Sequence, residues 1–360
     1  MPLDQLELGR RIKAAREMCG KNQEWVAEQL GLSRPTVTQI ELGNRAVSSI
    51  ELQQLADMFG RDIREFFRET FVQEDALAAL FRAHPQANKK DFVEPEIKKH
   101  LAIARELASL ENLLDIQHPF GPPPSYELSP PESRWNAIVQ GRAAAEQERT
   151  RLELGNSPAG DLVEIFSAQG IYAGFSKLPD EISGLTLNDS SAGSVVIVNS
   201  DRRHVEERKR FSLAHELCHV LLDRKRIAMI SRREEASELV EVRANAFAAA
   251  FLMPETGVLR FLAGLGKGLA SRMSAEVFSE AQPIAARSRT EPQSQDLKGY
   301  DVALVAEHFG VSMQAMLYQL QNLRIISEEE RVLLLVEADD AKRRLFTERH
   351  TPSIPKVDTE

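Results

Sequence analysis

The most informative nine residues of the chain are Phe211-Ser212-Leu213-Ala214-His215-Glu216-Leu217-Cys218-His219. Residues four apart lie one above the other on a helix, so His215 and His219 can each offer an imidazole nitrogen to one Zn²⁺. Glu216 points roughly 100° around the same helix, which suits a general base acting on water rather than a ligand. The alternative is a surface helix with two solvated histidines, but the apolar neighbours favour a buried helix, in which histidines need partners.

A catalytic zinc site needs a third protein ligand and one open position. The next predicted helix offers Glu241 and Asn245, which share a face by the same four-residue spacing. Glu241 is the expected third ligand, and Asn245 can then hydrogen-bond the outer nitrogen of a ligating histidine and fix its tautomer. Glu238 lies near the same face and is the competing candidate for third ligand.

The residues around this site predict helices with a small β-sheet. Residues 171–175 and 194–199 read as strands. The second strand is continuously apolar, which favours a central, fully paired strand over an edge strand to which a substrate segment could add. Predicted helices span 135–154, 161–169, 205–222, 235–252 and two halves of 302–323, with Gly310-Val311-Ser312 between the halves.

Residues from about 135 to 325 resemble the ImmA/IrrE family of zinc metallopeptidase domains. The matching segments are 195–199, 208–222, 241–248, 251–254 and 302–323. The resemblance implies a zincin-like fold, a zinc ion held by His215, His219 and Glu241, and Glu216 as the general base. It also implies a protein substrate, often a repressor, that is cleaved at few sites.

Two residues depart from the pattern of that family. Cys218 stands where such domains commonly have glycine or another small residue, and Arg243 stands where an acidic or neutral residue is common. Neither departure removes a catalytic group. We interpret Cys218 as a small residue that lets helices pack closely, and it lies in a different predicted domain from the other cysteine, Cys19, so no disulfide is expected.

The N-terminal part of the chain predicts an all-α helix-turn-helix. Asn22 can cap a helix over 23–30, Gly31 suits a left-handed turn, and Ser33 can cap a recognition helix over 34–42. Residues 6–67 resemble the Cro/cI-type repressors, the XRE family, through the segments 8–16, 22–27, 30–33 and 40–45. The resemblance implies that Glu41 pairs with an arginine of the first helix.

The recognition helix of this motif enters the major groove with its N-terminus. Arg34 can bind guanine and Gln39 can bind adenine, whereas Gln23, Asn44 and Arg45 are expected near phosphates. The full set of expected DNA-binding residues is Gln23, Arg34, Thr36, Thr38, Gln39, Asn44 and Arg45. Because such helices usually read paired half-sites, we expect a homodimer on a double-stranded operator. A four-helix protein-interaction module is the alternative.

Length and composition predict several regions in a soluble, cytoplasmic protein. The net charge of −9 argues against general polyanion binding but leaves a local DNA-binding face open. No apolar run approaches the roughly 20 residues that span a bilayer, so no membrane partner is expected. The predicted regions are a helix-turn-helix domain (1–70), a helical segment with a Pro-rich linker (71–132), a peptidase-like domain (133–273), a flexible loop (274–298), a helix-turn-helix-like unit (299–349) and a disordered tail (350–360).

The predicted fold class is therefore mainly α with a small sheet, an α+β arrangement. The expected function is a DNA-binding transcriptional regulator with a zinc-dependent endopeptidase domain that cleaves a partner repressor, an antitoxin-like protein or itself. One alternative is a regulator whose metal domain is a sensor or dimerisation module without proteolysis. Another is a dedicated peptidase that uses the small domain to dock on protein. The intact set of His215, Glu216 and His219 favours retained chemistry.

Overall fold

A computed structural model of the chain describes residues 4–59, 61, 63–67, 80, 93–201, 205–232, 234–267 and 296–337, and the backbone of 272–277 and 284–289. The helices are α1 (Gln5–Met18), α2 (Gln23–Leu30), α3 (Arg34–Glu41), α4 (Ser49–Phe59), a 3₁₀ helix (Ile63–Phe67), α5 (Val93–Leu113), α6 (Arg134–Arg151), α7 (Leu162–Ser167), α8 (Glu206–Leu222), α9 (Leu239–Leu252), α10 (Glu255–Gly264), α11 (Gly299–Phe309) and α12 (Met313–Asn322). The strands are β1 (Tyr172–Ser176), β2 (Ile182–Asp189), β3 (Gly193–Asn199), β4 (Ala228–Arg232), β5 (Arg272–Val277) and β6 (Ile284–Arg289). The predicted α+β class is confirmed.

The contacts divide the chain into two units that interleave along the sequence. The first unit comprises Met1–Glu127, Val163–Arg202 and His219–Ala236, and the second comprises Leu128–Leu162, Arg203–Cys218 and Ser237–Glu360. The chain therefore crosses between the units five times, whereas the domains predicted from the sequence are contiguous. Contacts between segments far apart in sequence produce this division, and composition along the chain does not report them.

The first unit begins with the helix-turn-helix. Asn22 accepts a hydrogen bond from Trp25 N–H at 2.8 Å, Gly31 is left-handed with φ of 65°, and Ser33 caps α3 as predicted. Gly9 of α1 allows a close backbone approach, because a Cβ there would lie 2.4 Å from the carbonyl oxygen of Ile40. The buried core of this part is Ile12, Ala15, Val26, Ala27, Val37, Ile40, Leu52, Leu55, Ala56, Phe59 and Phe66.

A four-stranded sheet completes the first unit, with the strand order β1-β3-β2-β4. Strand β3 pairs in parallel with β1 and antiparallel with β2, and β2 pairs antiparallel with β4. The central position of β3 agrees with its uninterrupted apolar run, and the weaker idea of an edge strand at 194–199 is wrong. Strands β2 and β4 were not predicted, because Gly, Ser, Thr and Asn interrupt the apolar alternation of β2 and β4 has five residues.

Helix α5 covers one face of this sheet, whereas the sequence predicted only a helical segment in this part of the chain. Its buried side chains join those of the strands in one core cluster. That cluster contains Leu80, Ile97, Leu101, Ala104, Leu178, Ile182, Leu185, Leu187, Ala192, Val195, Ile197 and Ile230. The guanidinium of Arg105 also donates to the buried carboxylate of Asp189 at 2.7 Å. Only one side of α5 contacts the sheet, so its buried apolar side chains lie on that side alone.

In the second unit, α6 packs closely along α9. A Cβ on Gly141 of α6 would lie 2.4 Å from the carbonyl oxygen of Arg243, so the two backbones approach too closely for a side chain there. Arg149, also on α6, is buried and donates to the carbonyl oxygens of Phe251, Gly155 and Ser157. Burial lowers the pKa of Arg149 to about 10. These bonds connect the end of α6 to the end of α9.

The rest of the second unit contains one confirmed expectation and one correction. Helices α11 and α12 flank the left-handed Gly310, with Ser312 capping α12, as the sequence predicted. The predicted flexible loop at 274–298 is wrong in part, because β5 and β6 pair antiparallel there, with Val277 opposite Ile284. Strands pair through backbone hydrogen bonds, which polar side chains permit. A polar composition therefore does not exclude strands in this segment. The helix α10 was not predicted. The predicted tail (350–360) and most of 71–92 lie outside the described residues.

Candidate metal centre and DNA-reading helix

Helix α8 carries the two histidines one turn apart. His215 and His219 are 6% and 1% exposed, so the helix is a buried one and the solvated alternative is excluded. Two acidic residues, Glu206 and Glu207, lie in its first turn, where the positive end of the helix dipole favours them. The sequence therefore folds locally into a helix that holds both rings in the protein interior.

His215 contacts the two residues of α9 that the spacing singled out. Its Nε2 lies 3.0 Å from Oε2 of Glu241, and its Nδ1 lies 3.0 Å from Oδ1 of Asn245. Glu241 is buried, and Asn245 lies one helical turn further on the same face. The arrangement leaves the ring of His215 between a carboxylate on one side and an amide oxygen on the other.

His215, His219 and Glu241 form a three-donor group. One ligand atom from each residue lies within 4.8 Å of the others. Donors around one tetrahedral zinc ion at about 2.0–2.1 Å are roughly 3.3 Å apart, so a small convergence brings these atoms to binding distance. Two neutral imidazoles and one carboxylate are a donor set that zinc prefers. These residues fit a zinc ion.

An acidic residue that the sequence analysis missed contacts the second histidine. Oδ2 of Asp223 lies 2.9 Å from Nδ1 of His219. The signal was present in the sequence, because Asp223 follows His219 by four residues and so continues the helical face that begins at His215. Each histidine thus has an oxygen acceptor at its Nδ1.

The other predicted residues near this centre are placed differently. Glu216 is fully buried on α8, next to His215 in sequence. Glu238 is exposed at the N-cap of α9 and is absent from the donor group found among the described side chains. Cys218 is buried and also lies outside that group.

The recognition helix α3 exposes the residues predicted to read bases. Arg34 and Gln39 are exposed, and Thr36 and Thr38 are half-buried. Asn44 donates from Nδ2 to Oε1 of Gln39 at 3.0 Å, which holds the Gln39 amide near the end of the helix. The structure therefore presents Arg34 and Gln39 on the outer surface of α3, where the motif needs them.

Gln23 connects α2 to α3 through side-chain hydrogen bonds. Its Nε2 donates to Oε2 of Glu41 at 2.8 Å, and its Oε1 accepts from the hydroxyl of Thr38 at 3.1 Å. Glu41 is buried and also accepts two hydrogen bonds from Arg16 of α1, which raise the pKa of that guanidinium above its ordinary value. The pairing of Glu41 with a first-helix arginine, implied by the resemblance, is present. Arg45 donates to Glu51 at 2.8 Å.

Comparison with known proteins assigns the N-terminal part. Residues 12–66 match the family described as Helix-turn-helix. A stretch of 50 residues is 44% identical to a protein of Bacillus subtilis named as the uncharacterized HTH-type transcriptional regulator YazB, covering 14% of this chain and 72% of that protein. The chain belongs to the XRE-type helix-turn-helix regulators. The regulator is thus of a class that binds DNA and controls transcription.

The same comparison assigns the C-terminal part of the regulator. Residues 166–321 match a peptidase family described as the IrrE N-terminal-like domain, so the regulator carries a metallopeptidase-like domain. The matched range contains the three donors, Glu216 and Asn245. Both family assignments agree with the resemblances drawn from the sequence.

A solved structure, described as ComR from Streptococcus suis, aligns with 98% of the regulator and 80% of its own chain at 12% identity. Its TM-score is 0.18, and nothing about the regulator follows from it. Among the described residues, no single helix is long and apolar enough to cross a membrane, and one bent pair, Leu239–Leu252 with Glu255–Gly264, passes that test by length and composition together.

Proposed function

We propose that this regulator combines sequence-specific operator binding with zinc-dependent endopeptidase activity on a protein partner or on itself. The observation that carries the proposal is the convergence of His215, His219 and Glu241 in the protein interior. A buried carboxylate beside two buried imidazoles is costly unless the groups pair or bind a cation. The match of residues 166–321 to a peptidase family supports the proposal.

The chain's own residues divide the chemistry between them. Zinc, when bound, polarises a peptide carbonyl and makes water a better nucleophile at neutral pH. His215 and His219 offer their Nε2 atoms and Glu241 offers a carboxylate oxygen, while Asn245 holds the His215 ring through Nδ1. Glu216 accepts the proton of the attacking water on its carboxylate and passes it to the amine that leaves. The buried helix around Glu216 excludes bulk water from this proton transfer.

A test of cleavage uses the full-length protein and the products of neighbouring genes. Each product is incubated with the regulator, with and without a zinc chelator, and the masses of the intact proteins are measured. A partner or the regulator itself that is cut at one or two bonds, and stays whole with chelator, supports the proposal. Zinc binding without cleavage of any protein tested favours the alternative of a non-proteolytic sensor or dimerisation module.

The DNA-binding half of the proposal rests on the outer surface of α3. Arg34 and Gln39 are exposed, and the remaining predicted contacts, Gln23, Thr36, Thr38, Asn44 and Arg45, lie in the same motif. We propose that a homodimer places two copies of α3 in successive major grooves, which lie about 34–36 Å apart. Protection of two half-sites in a footprint, with a dimer mass in solution, supports this arrangement, and a single protected half-site contradicts it. Because operator binding requires access to DNA, we propose a cytoplasmic location for the protein.

A further inference from the structure

The described contacts give the two histidines different outer partners. Nδ1 of His215 meets the amide oxygen of Asn245, which is neutral, whereas Nδ1 of His219 meets the carboxylate of Asp223. The second contact is dry, because the His219 side chain is fully buried and the Asp223 side chain is 10% exposed. A carboxylate in so little water interacts with the ring more strongly than a surface acid would.

We infer that Asp223 is a positioning residue for the metal centre. Its carboxylate accepts a hydrogen bond from Nδ1–H of His219, which fixes the ring rotation and tautomer and directs Nε2 toward the donor group. The inference rests on the proposed zinc site and assigns that site a residue outside its ligands. A carboxylate behind an imidazole also makes the ring a better donor, and its negative charge partly offsets the charge of the ion.

The position of Asp223 argues that its side chain serves His219 rather than the helix. Asp223 follows Leu222, the last residue of α8, where the negative end of the helix dipole disfavours an acid. Its backbone N–H donates to the His219 carbonyl at 3.0 Å, and its carbonyl accepts from Arg226 N–H at 2.8 Å. These two backbone bonds do not involve the side chain, so substitutions of Asp223 leave them in place.

The experiment measures zinc affinity and metal geometry in the full-length protein. Zinc dissociation constants are obtained by competition with a chromophoric chelator for the wild type, Asp223→Ala, Asp223→Asn and Asp223→Glu. Loss of an outer partner of a ligating histidine typically weakens metal binding about 10–100-fold, which we expect for Asp223→Ala. Asp223→Asn keeps an oxygen acceptor without the charge, so its zinc affinity is expected to lie between those of the wild type and Asp223→Ala. Asp223→Glu keeps the charge and is expected to recover part of the lost affinity. Replacing zinc by Co²⁺ gives a visible spectrum that should change in Asp223→Ala.

A matched control separates positioning from general stability. Asp189 is a buried carboxylate of the β2–β3 hairpin that pairs with Arg105, so Asp189→Asn should destabilise the protein and leave zinc affinity within about twofold of the wild type. Thermal melting of the metal-free variants measures the loss of stability. Equal weakening of zinc by Asp189→Asn and Asp223→Ala would overturn the inference, and so would unchanged affinity and cobalt spectrum in Asp223→Ala. Absence of zinc binding in the wild type would instead overturn the proposed function.

Discussion

Glu241 Oε2 lies 3.0 Å from His215 Nε2, although 26 residues separate the two along the chain. Both side chains are buried, so the contact removes two polar groups from water and needs either a proton or a cation between them. Asn245, one turn further along α9, lies on the other side of the same ring. One face of α9 thus supplies a candidate ligand and a ring-orienting group together.

Removal of both imidazoles should abolish the metal site. We expect the wild type to hold about one zinc per chain through three protein ligands and the His215→Ala, His219→Ala double variant to hold almost none. Metal analysis of the purified proteins by mass spectrometry measures this. His308→Ala is the control, because this substitution removes an imidazole that stacks on Phe261, outside the donor group. Equal zinc in the double variant and the wild type would contradict the assignment.

Replacement of Glu216 by glutamine should separate zinc binding from cleavage. The amide has the shape of the carboxylate but cannot accept the proton, so we expect unchanged zinc content and a cleavage rate lower by about 10²–10⁴-fold. Single-turnover cleavage of a genuine partner measures the rate. Glu238→Gln, at the exposed N-cap of α9, is the matched carboxylate-to-amide control and should cleave normally. Cleavage that persists in Glu216→Gln would mean that another group is the base.

Truncation of the exposed reading residues should relax operator recognition. We expect Arg34→Ala and Gln39→Ala each to cost roughly 1–3 kcal/mol of discrimination against a changed base pair. Binding to the operator and to single-base variants, measured at one fixed salt concentration, gives that difference. Lys99→Ala on α5 removes a charge outside the motif and should leave discrimination intact. Unchanged footprints in both α3 variants would place the reading surface elsewhere.

The Asp189–Arg105 pair should make the stability of the protein depend on acid pH. Burial alone would raise the pKa of Asp189, but hydrogen bonds from Arg105 and from the N–H groups of Ala192 and Ser191 lower it below its ordinary value. A carboxyl whose folded pKa is lowered stabilises the protein above its unfolded pKa of about 3.9, and that stability is lost as the pH falls through the folded value. Urea unfolding at several pH values measures the dependence.

Asp189→Asn should be less stable at pH 7, by about 3–5 kcal/mol if Arg105 stays buried and unpaired, and should lose less stability than the wild type on acidification. Asp57→Asn, which changes an exposed carboxyl bonded to Gln53, should follow the wild-type curve. Parallel acid curves for the wild type and Asp189→Asn would show that Asp189 does not carry this dependence.

An added methyl group at Gly141 should destabilise the packing of α6 on α9. The new Cβ would lie 2.4 Å from the carbonyl oxygen of Arg243 and 2.9 Å from the backbone nitrogen of Phe247, so backbone must move. We expect Gly141→Ala to lower the free energy of unfolding by about 1–3 kcal/mol, despite the better helix propensity of alanine. Gly264→Ala is the control, because no atom lies within 4 Å of its Cβ and the change should be neutral or stabilising. A stable Gly141→Ala variant in denaturant titration would contradict the close approach.

Much of the metal centre and the reading helix could be predicted from local spacing. The four-residue interval places His215 above His219, and again Glu241 below Asn245, because the turn of an α-helix is set by its own backbone. The left-handed Gly31 follows from the same kind of local rule, since glycine alone adopts that conformation without strain. These features needed no knowledge of distant residues.

Tertiary structure decided which of these local elements meet. Glu241 rather than Glu238 faces His215, β3 lies between two other strands, and α5 packs on the sheet. The contact between Asp223 and His219 depends on the orientation of the imidazole ring, which tertiary structure sets. Strand pairing and helix packing depend on contacts between residues far apart in the chain, whose energies no local pattern records. Helical spacing therefore specified the donors, and long-range packing specified their partners.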